Sequence, residues 1–320
     1  SGTDLVDWPI GFGELEYYWA LAEDKMGVTG THGIPLLPVT NNYKVMDYGA
    51  RKVGYIQVSN DRHAINSRPR DGRPACFQLG FCGQGCKSSA KWSTLYTEIP
   101  KAEATGLLDL RVGCTALQIE HNAAGRATGV LYVDTHGRRQ LQKAKIVSIA
   151  ANAIETPRLL LNSATGKYPQ GLANDSGWVG RCYMKHINVS AWGLYDKPVH
   201  MNHGVTMGGT VYDETHFAPQ RGFVGGYMLQ AVQVGIPFLT AVIQPDGWGS
   251  DFTRFVEGYK RLAGIWVNGE DMPRAGNRIT LHATEKDSHG LPIPNIHVDE
   301  HANDLAMREH SLRQAEAVLR

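Results

Sequence analysis

The sequence predicts a mixed α/β chain in which a doubly wound α/β part is joined to a mostly antiparallel sheet. Three observations carry this. The run "SIAANAIETP" leads a short apolar strand into a helix through small residues, the local grammar of a doubly wound sheet whose helix N-terminus faces an anion. From Gly177 to about Leu281, apolar and polar residues alternate among many glycines, as in "VSAWGLY", "GGYMLQAVQV", "PFLTAVIQ" and "NRITLHAT"; this is antiparallel-sheet patterning. Hydrophobic residues make up 42% and charged residues 20% of 320 positions, enough for a sizeable core in one large domain or two modest ones.

The elements follow in order. In "GELEYYWALAEDKM", Leu15, Tyr18, Ala22 and Met26 stand at helical spacing after a Trp8-Pro9 turn, which predicts a helix over 13–26. Gly27–Lys87 is dense in Pro, Gly, Asn and Arg, and an irregular segment of that length in a compact chain reads as a binding or lid region. "LLDLRV", "TALQIEH", "ATGVLYVD" and "KIVSIA" read as four strands, with turns at Gly125 and "THGRR". A helix follows from about Ala153 to Ser163, and then the alternating region forms a second layer, a wall facing a substrate. At the end, Leu305, Leu312, Ala315 and Leu319 share one side of a helix begun by Asn303 or Asp304. That helix lacks a stop and the chain opens without Met, so the sequence reads as cut off.

Net charge near +1 supplies no basic field for nucleic acid or an anionic membrane. No run approaches the roughly 18 apolar residues of a membrane span. Five cysteines at irregular spacing argue against a secreted disulfide framework. A catalytic or small-ligand role fits better.

Three of those cysteines, Cys76, Cys82 and Cys86, fall in the glycine-rich run "ACFQLGFCGQGCKSSAKWST". They read as metal ligands, a redox device or a packed remnant of either. Zinc lacks a fourth ligand, since His63, the nearest histidine, is at no standard spacing. Cys114 and Cys182 are isolated and read as small apolar residues. Ser93 and Thr94 read as capping or packing residues that open a helix, with a ligand contact as the alternative. His186 reads as a satisfied core or interface histidine, with a substrate-facing role second. Glu270 and Asp271 read as a solvated loop, and Arg68, Arg70 and Arg73 as fixing the lid by pairing.

The stretches "DWPIGFGELEYYWALAE", "INSRPRDGRPAC", "GCKSSAKWST", "AANAIETPRLLLNS", "WVGRCYMKH", "NRITL" and "GLPIPNIHVD" run in one order across nearly all of the chain. Together they resemble the glucose-methanol-choline (GMC) family of FAD-dependent oxidoreductases. The resemblance implies a Rossmann-like FAD domain interleaved with an antiparallel-sheet substrate domain. It divides the chain into a helix and loop-rich lid (1–74), part of the FAD domain with the cysteine loop (75–165), a substrate domain (166–300) and a helix leading back to the FAD domain (301–320). The implied chemistry is hydride transfer from a CH–OH group of a sugar, polyol or other alcohol to flavin, with a histidine as general base.

Carried over residue by residue, Ala116 makes a main-chain contact near the adenine, and Ala150, Ala151 and Asn152 form the turn beside the pyrophosphate. Relatives usually have glycine where Asn152 stands. The family's G-x-G-x-x-G is not matched, since Gly11-Phe12-Gly13-Glu14 runs on without a third glycine. The catalytic histidine is expected beyond Arg320, and none of the 13 histidines is assigned to that role.

The spacing Cys-x5-Cys-x3-Cys is similar to that of large subunits of sugar and polyol dehydrogenases, which implies a [3Fe–4S] cluster on Cys76, Cys82 and Cys86. Lys87 stands where those relatives have proline. With a cluster, the expected partners are a small subunit and a cytochrome c, and export to the periplasm would follow the partner's signal; without one, the protein is expected in the cytoplasm. A cluster-free oxidase and a non-catalytic carbohydrate-binding or scaffold protein are the alternatives.

Overall fold

The computed structural model describes residues 5–234, 241, 243 and 246–320. The strand reading of "PFLTAVIQ" lies almost wholly outside the described residues. In chain order the elements are α1 (Phe12–Met26), α2 (Asn41–Lys52), β1 (Val58–Ser59), α3 (Glu98–Ala104), β2 (Thr115–His121), β3 (Ala127–Val133), β4 (Arg139–Lys143), α4 (Asn152–Asn162), β5 (Ile187–Leu194), β6 (Met207–Val211), β7 (Tyr227–Val232), α5 (Gly249–Glu257), β8 (Leu262–Gly269), β9 (Arg278–Lys286), β10 (Pro292–His297) and α6 (Ala302–Leu319). They divide into two compact units, each assembled from separated stretches of chain: a larger one of 7–107, 186–271 and 302–320, and a smaller one of 108–185 and 272–301 with the N-terminal residues.

The larger unit is built on an antiparallel five-stranded sheet in the order β1-β6-β7-β8-β5. Alternate side chains of a strand point to opposite faces, and the register aligns Val189, Val267 and Leu229, then Ala191, Ile265 and Ala231, on one of them. That face is apolar and forms the core with Met46 and Ala50 of α2 and Met307, Ala315 and Val318 of α6. Thr40 starts α2, its hydroxyl accepting from the Tyr43 amide at 3.1 Å. Asn42 then docks α2 on the sheet: its amide donates to the Val232 and Gly264 carbonyls (2.6 and 2.8 Å) and accepts from the Gly264 N–H (3.0 Å).

A polar network lies among these apolar groups. Tyr55 donates to Glu214 at 2.9 Å, Arg221 pairs with Glu214 at 2.6 Å, and the Tyr227 hydroxyl shares a hydrogen bond with His310 Nδ1 at 2.9 Å. Burial pushes the ionisation of both tyrosines well up, and it pushes the His310 imidazole down, because an apolar surround disfavours the charged form. Stability is therefore expected to be fully present above pH 6.5, the ordinary imidazole value, and to fall below it, where the unfolded chain takes up a proton that folded His310 resists. Denaturant titrations at pH 7.5 and 5.5 check this; His310→Gln should flatten the dependence.

The smaller unit holds the three-stranded antiparallel sheet β2-β3-β4 and the hairpin β9-β10. Helix α4 packs on β2, β9 and β10. Ser163 at its end accepts from the Ile119 amide at 2.9 Å, and Arg158 reaches Asp287 at 2.6 Å and Glu155 at 3.1 Å. Leu117, Ile119, Val133 and Ile279 are buried. Among the described residues, no helix is long and apolar enough to cross a membrane.

Several elements differ from the sequence expectation. The stretch 27–87 is not all irregular, since it contains α2 and β1. "LLDLRV" and "KIVSIA" form no strand, because a strand needs a neighbour for its backbone groups and none pairs with them among the described residues; Leu107 and Ile146 are 90% and 86% exposed. The polar stretch Arg139–Lys143 pairs with β3 instead. "NRITL" belongs to the β9-β10 hairpin of the smaller unit rather than to the large sheet. Helix α6 buries Asp304, Met307, Ser311, Ala315 and Val318, a face rotated from the expected one, with Leu305 exposed. His186 is exposed, not a core residue, and the helix after the cysteine loop starts at Glu98, behind a turn that holds Ser93.

Candidate functional site

In the smaller unit, extended chain enters α4 through Ala150, Ala151 and Asn152. Asn152 has φ +66°, a left-handed conformation that asparagine tolerates better than most residues. Its Oδ1 accepts from the Ile154 and Glu155 amides at 2.8 and 3.0 Å, and Thr156 Oγ1 accepts from the Ala151 amide at 3.2 Å. Asparagine thus replaces the freedom of a glycine with a self-made cap. Ala150, Ala151 and Ala153 carry no side chain beyond Cβ, so an anion can approach the backbone at the positive end of the helix.

Ala116 lies on β2, which packs on α4. It lines a hollow of about 380 Å³ with Asp109, Arg111, Cys114, Val130, Tyr132 and Gln142. Arg111 is fixed there: it pairs with Asp109, donates to the Tyr132 hydroxyl at 2.9 Å, and lies 5.6 Å from the centre of that ring. Cys114 and Cys182 are half-buried in the same unit.

Ser93 belongs to the larger unit. It sits in a turn, its Oγ accepting from the Leu95 amide at 3.3 Å and its carbonyl from Thr97 at 2.7 Å. Nearby chain segments are tied together by the Trp92 amide on the Ala64 carbonyl (2.7 Å) and by His63 on the Met207 carbonyl (2.5 Å). Within these segments, His63 Nδ1, Asn66 Oδ1, Trp92 Nε1 and Thr206 Oγ1 are buried without a hydrogen-bond partner. Buried polar atoms seldom stay unpaired, and such a group of orphans suits a polar ligand.

The cysteine loop lies in the same unit. Cys76, Cys82 and Cys86 are free thiols, half-buried against Leu37, Ile65, Ala90 and Val205. The Gln78 amide donates to Cys76 Sγ (3.3 Å), the Lys91 amide to Cys86 Sγ (3.4 Å), and Lys91 Nζ to the Cys82 carbonyl (2.6 Å). Burial pushes the Cys76 thiol up, helped by the charges of its two neighbours were they ionised. Burial opposes ionisation at Cys86 too, but the Lys91 amide and the Ser88 hydroxyl outweigh it and hold that thiol below its ordinary value. Among the described residues, however, no group of three or more His, Cys, Asp or Glu side chains is arranged to hold a metal ion. The donor chemistry suits iron and sulfide.

Residues the sequence reading did not single out line the open face of the large sheet. The register aligns Asn188, Asn268 and Met228, then Ser190, Trp266 and Gln230, on the side away from the helices. They are linked: Trp266 Nε1 donates to Asn188 at 3.0 Å, Asn268 donates to Gln230 Oε1, and Gln230 Nε2 donates to Thr210 Oγ1 at 3.2 Å. The row ends at buried Asp61, whose carboxylate accepts from Thr210 Oγ1 (2.6 Å), Tyr212 (3.1 Å) and Gln230 (3.4 Å). Burial, then the charge of Asp61, raises the Tyr212 pKa, so its hydroxyl stays a donor. The alternation in "YMLQAV" and "IWVNG" carried this signal; only the apolar half of it was used.

Of the remaining sequence candidates, Arg70 pairs with Asp24 at 3.1 Å, while buried Arg73 donates to the Ser89 and Ala90 carbonyls at 3.1 and 3.3 Å. Both fix loops, as expected. Glu270 accepts from the Gly226 amide at 3.0 Å.

The chain thus combines a sheet with one polar face in the larger unit and a small-residue helix start in the smaller one. The family model described as GMC oxidoreductase matches residues 11–188, and the chain belongs to this family. It is 32% identical over 326 residues to the 2-methyl-1,2-propanediol dehydrogenase of Mycolicibacterium austroafricanum, covering 96% of this chain and 59% of that protein. It is 29% identical to the fructose dehydrogenase large subunit of Gluconobacter japonicus, covering 92% of this chain and 56% of that protein. The chain therefore spans under three-fifths of the length of these relatives. Among solved structures, the formate oxidase of Aspergillus oryzae, a structure concerned with FAD modification, matches with a TM-score of 0.61 at 13% identity, over 91% of this chain and 56% of that one.

Proposed function

We propose that this chain is part of an FAD-dependent dehydrogenase that oxidises a CH–OH group of an alcohol, sugar or polyol. The observation that carries the reading is the α4 start, a turn of small residues leading into the helix, in a member of the GMC family. When bound, FAD would supply the hydride acceptor. The chain's own share is binding and orientation. The Ala150–Asn152 turn would lie beside the pyrophosphate, and the Ala116 main chain would meet the adenine. Within the larger unit taken by itself, Ser93 and the orphaned polar atoms around Trp92 are the candidates for a flavin contact. The open face of the sheet would orient the alcohol carbon and exclude water. No residue of this chain is assigned as the base.

In this reading the reduced flavin passes its electrons directly to an external acceptor, and no step runs through the cysteine loop. The triplet itself favours a second reading, in which Cys76, Cys82 and Cys86 hold a [3Fe–4S] relay; a small subunit, a cytochrome c partner and the periplasm belong to that reading alone, and the name of one relative, the fructose dehydrogenase large subunit, points to a partner subunit for that protein.

Absorbance and elemental analysis of the purified protein test both. Expected is bound FAD without stoichiometric iron and, in the full-length enzyme, alcohol-dependent dye reduction in Cys82→Ser close to that of the parent; the chain by itself is expected to show weak or no activity. About three irons per chain, lost together in Cys82→Ser, would move the electron exit to the cluster. Polyol binding without flavin would replace both readings with a binding or scaffold protein, and oxygen consumption that outpaces dye reduction would make it an oxidase.

A further inference from the structure

We propose that the hollow beside Asp61 is a subsite for a neutral vicinal diol, reading the hydroxyl next to the carbon that reacts. The proposal rests on the alcohol-oxidising function only for which carbon reacts; the binding itself stands on the residues. The hollow, about 730 Å³, is lined by Asp61, Arg62, Tyr212, Met228 and Gln230 among others, a size usual for small-molecule sites. Asp61 is only 6% exposed. A buried carboxylate is costly unless hydrogen bonds compensate it. Its three donors from Thr210, Tyr212 and Gln230 occupy three of about four lone-pair sites, which leaves acceptor capacity for a hydroxyl.

The chain of amides sets the polarity of the hollow. Because Asn268 donates to Gln230 Oε1, the Gln230 NH2 is turned toward Asp61 and Thr210, and the end of the network is an acceptor. A purely structural tie between two hydroxyls and an amide needs no charge, and a neutral side chain would spare the desolvation. What a carboxylate adds is charge-assisted acceptance from a hydroxyl proton. Trp266, on the same face with its N–H committed to Asn188, leaves its ring for C–H groups of a polyol chain. The buried negative charge also disfavours anionic sugar acids; Arg62, which lines the hollow, lies 4.0 Å from Glu23 across the chain and is largely solvated.

A hydrogen bond to a charged group contributes about 1.5–3 kcal/mol, which is roughly 10- to 100-fold in affinity. Calorimetry on the holoprotein with propane-1,2-diol and propan-1-ol, which differ by one hydroxyl, reads this directly. Expected is at least tenfold tighter binding of the diol, loss of that preference in Asp61→Asn, and tighter binding of sorbitol than of gluconate. Equal binding of the two propane alcohols by the parent overturns the proposal, as does an Asp61→Asn variant that weakens both alike. Should Asp61→Asn not fold, Met228→Trp fills the hollow with the Asp61 network intact and is expected to remove diol binding; retained preference in that variant overturns it. No turnover is needed, so diol binding without flavin reduction would fail the dehydrogenase reading and leave this one standing.

Discussion

Glu214→Ala is expected to destabilise the larger unit by about 3–5 kcal/mol, the range for breaking a buried ion pair from one side. Only 7% of the Arg221 side chain and 15% of the Glu214 side chain are exposed. With Glu214 gone, the Arg221 guanidinium keeps backbone acceptors at residues 214 and 216 and the ring of Phe223 at 5.0 Å, but no compensating charge. Tyr55 loses its Glu214 acceptor and keeps Gln314 Oε1, at 3.1 Å. Glu214→Gln, which retains the acceptor and loses only the charge, should cost less, and Glu214→Leu with Arg221→Met should recover most of the loss, because no lone charge is left behind. Denaturant midpoints of the four proteins check the order.

The second large effect is expected at Gly49. There α2 crosses α6 so closely that a Cβ on residue 49 would overlap the Val318 carbonyl oxygen. A carbonyl inside a helix cannot swing aside as a flexible side chain can, so the helices must separate and the packing of Met46, Ala50, Ala315 and Val318 opens with them. Overpacking typically costs 1–3 kcal/mol and a backbone clash lies at or above the top of that range; Gly49→Ala is expected to lower stability by about 3 kcal/mol. Glycine's usual penalty inside a helix, roughly 1 kcal/mol against alanine, would give the opposite sign. A stabilised Gly49→Ala protein would therefore show that the crossing is looser than described here.

What was legible in the sequence was periodicity backed by local chemistry. Alternation in "VSAWGLY" and "GGYMLQAVQV" located β5 and β7, and the small-residue run before "ETPRLLLNS" located α4 to within a residue. Resemblance carried the family. Misread elements are those whose fate depends on distant chain. "LLDLRV" and "KIVSIA" have strand composition, but backbone pairing decides a strand and no partner stands beside them among the described residues. Helix α2 escaped notice because its buried residues include Asn42 and Gly49, neither of which marks an apolar stripe. Asp61 looked like one more loop residue; only the register of β6 and β7 brings Thr210 and Gln230 to it.

The threading of the larger unit also bears on how the protein is made. Its sheet draws β1 from the first third of the chain and β5–β8 from the last half, and its apolar face is covered by α6, which ends at residue 319. A ribosome must release almost the whole described chain before that cover exists, and until then Leu229, Ile265 and Val267 face water. Pairings so far apart in sequence close slowly, and exposed strands meanwhile invite wrong partners. Folding yield of this protein is therefore expected to respond to translation speed and chaperone supply more than to the stability of any one helix.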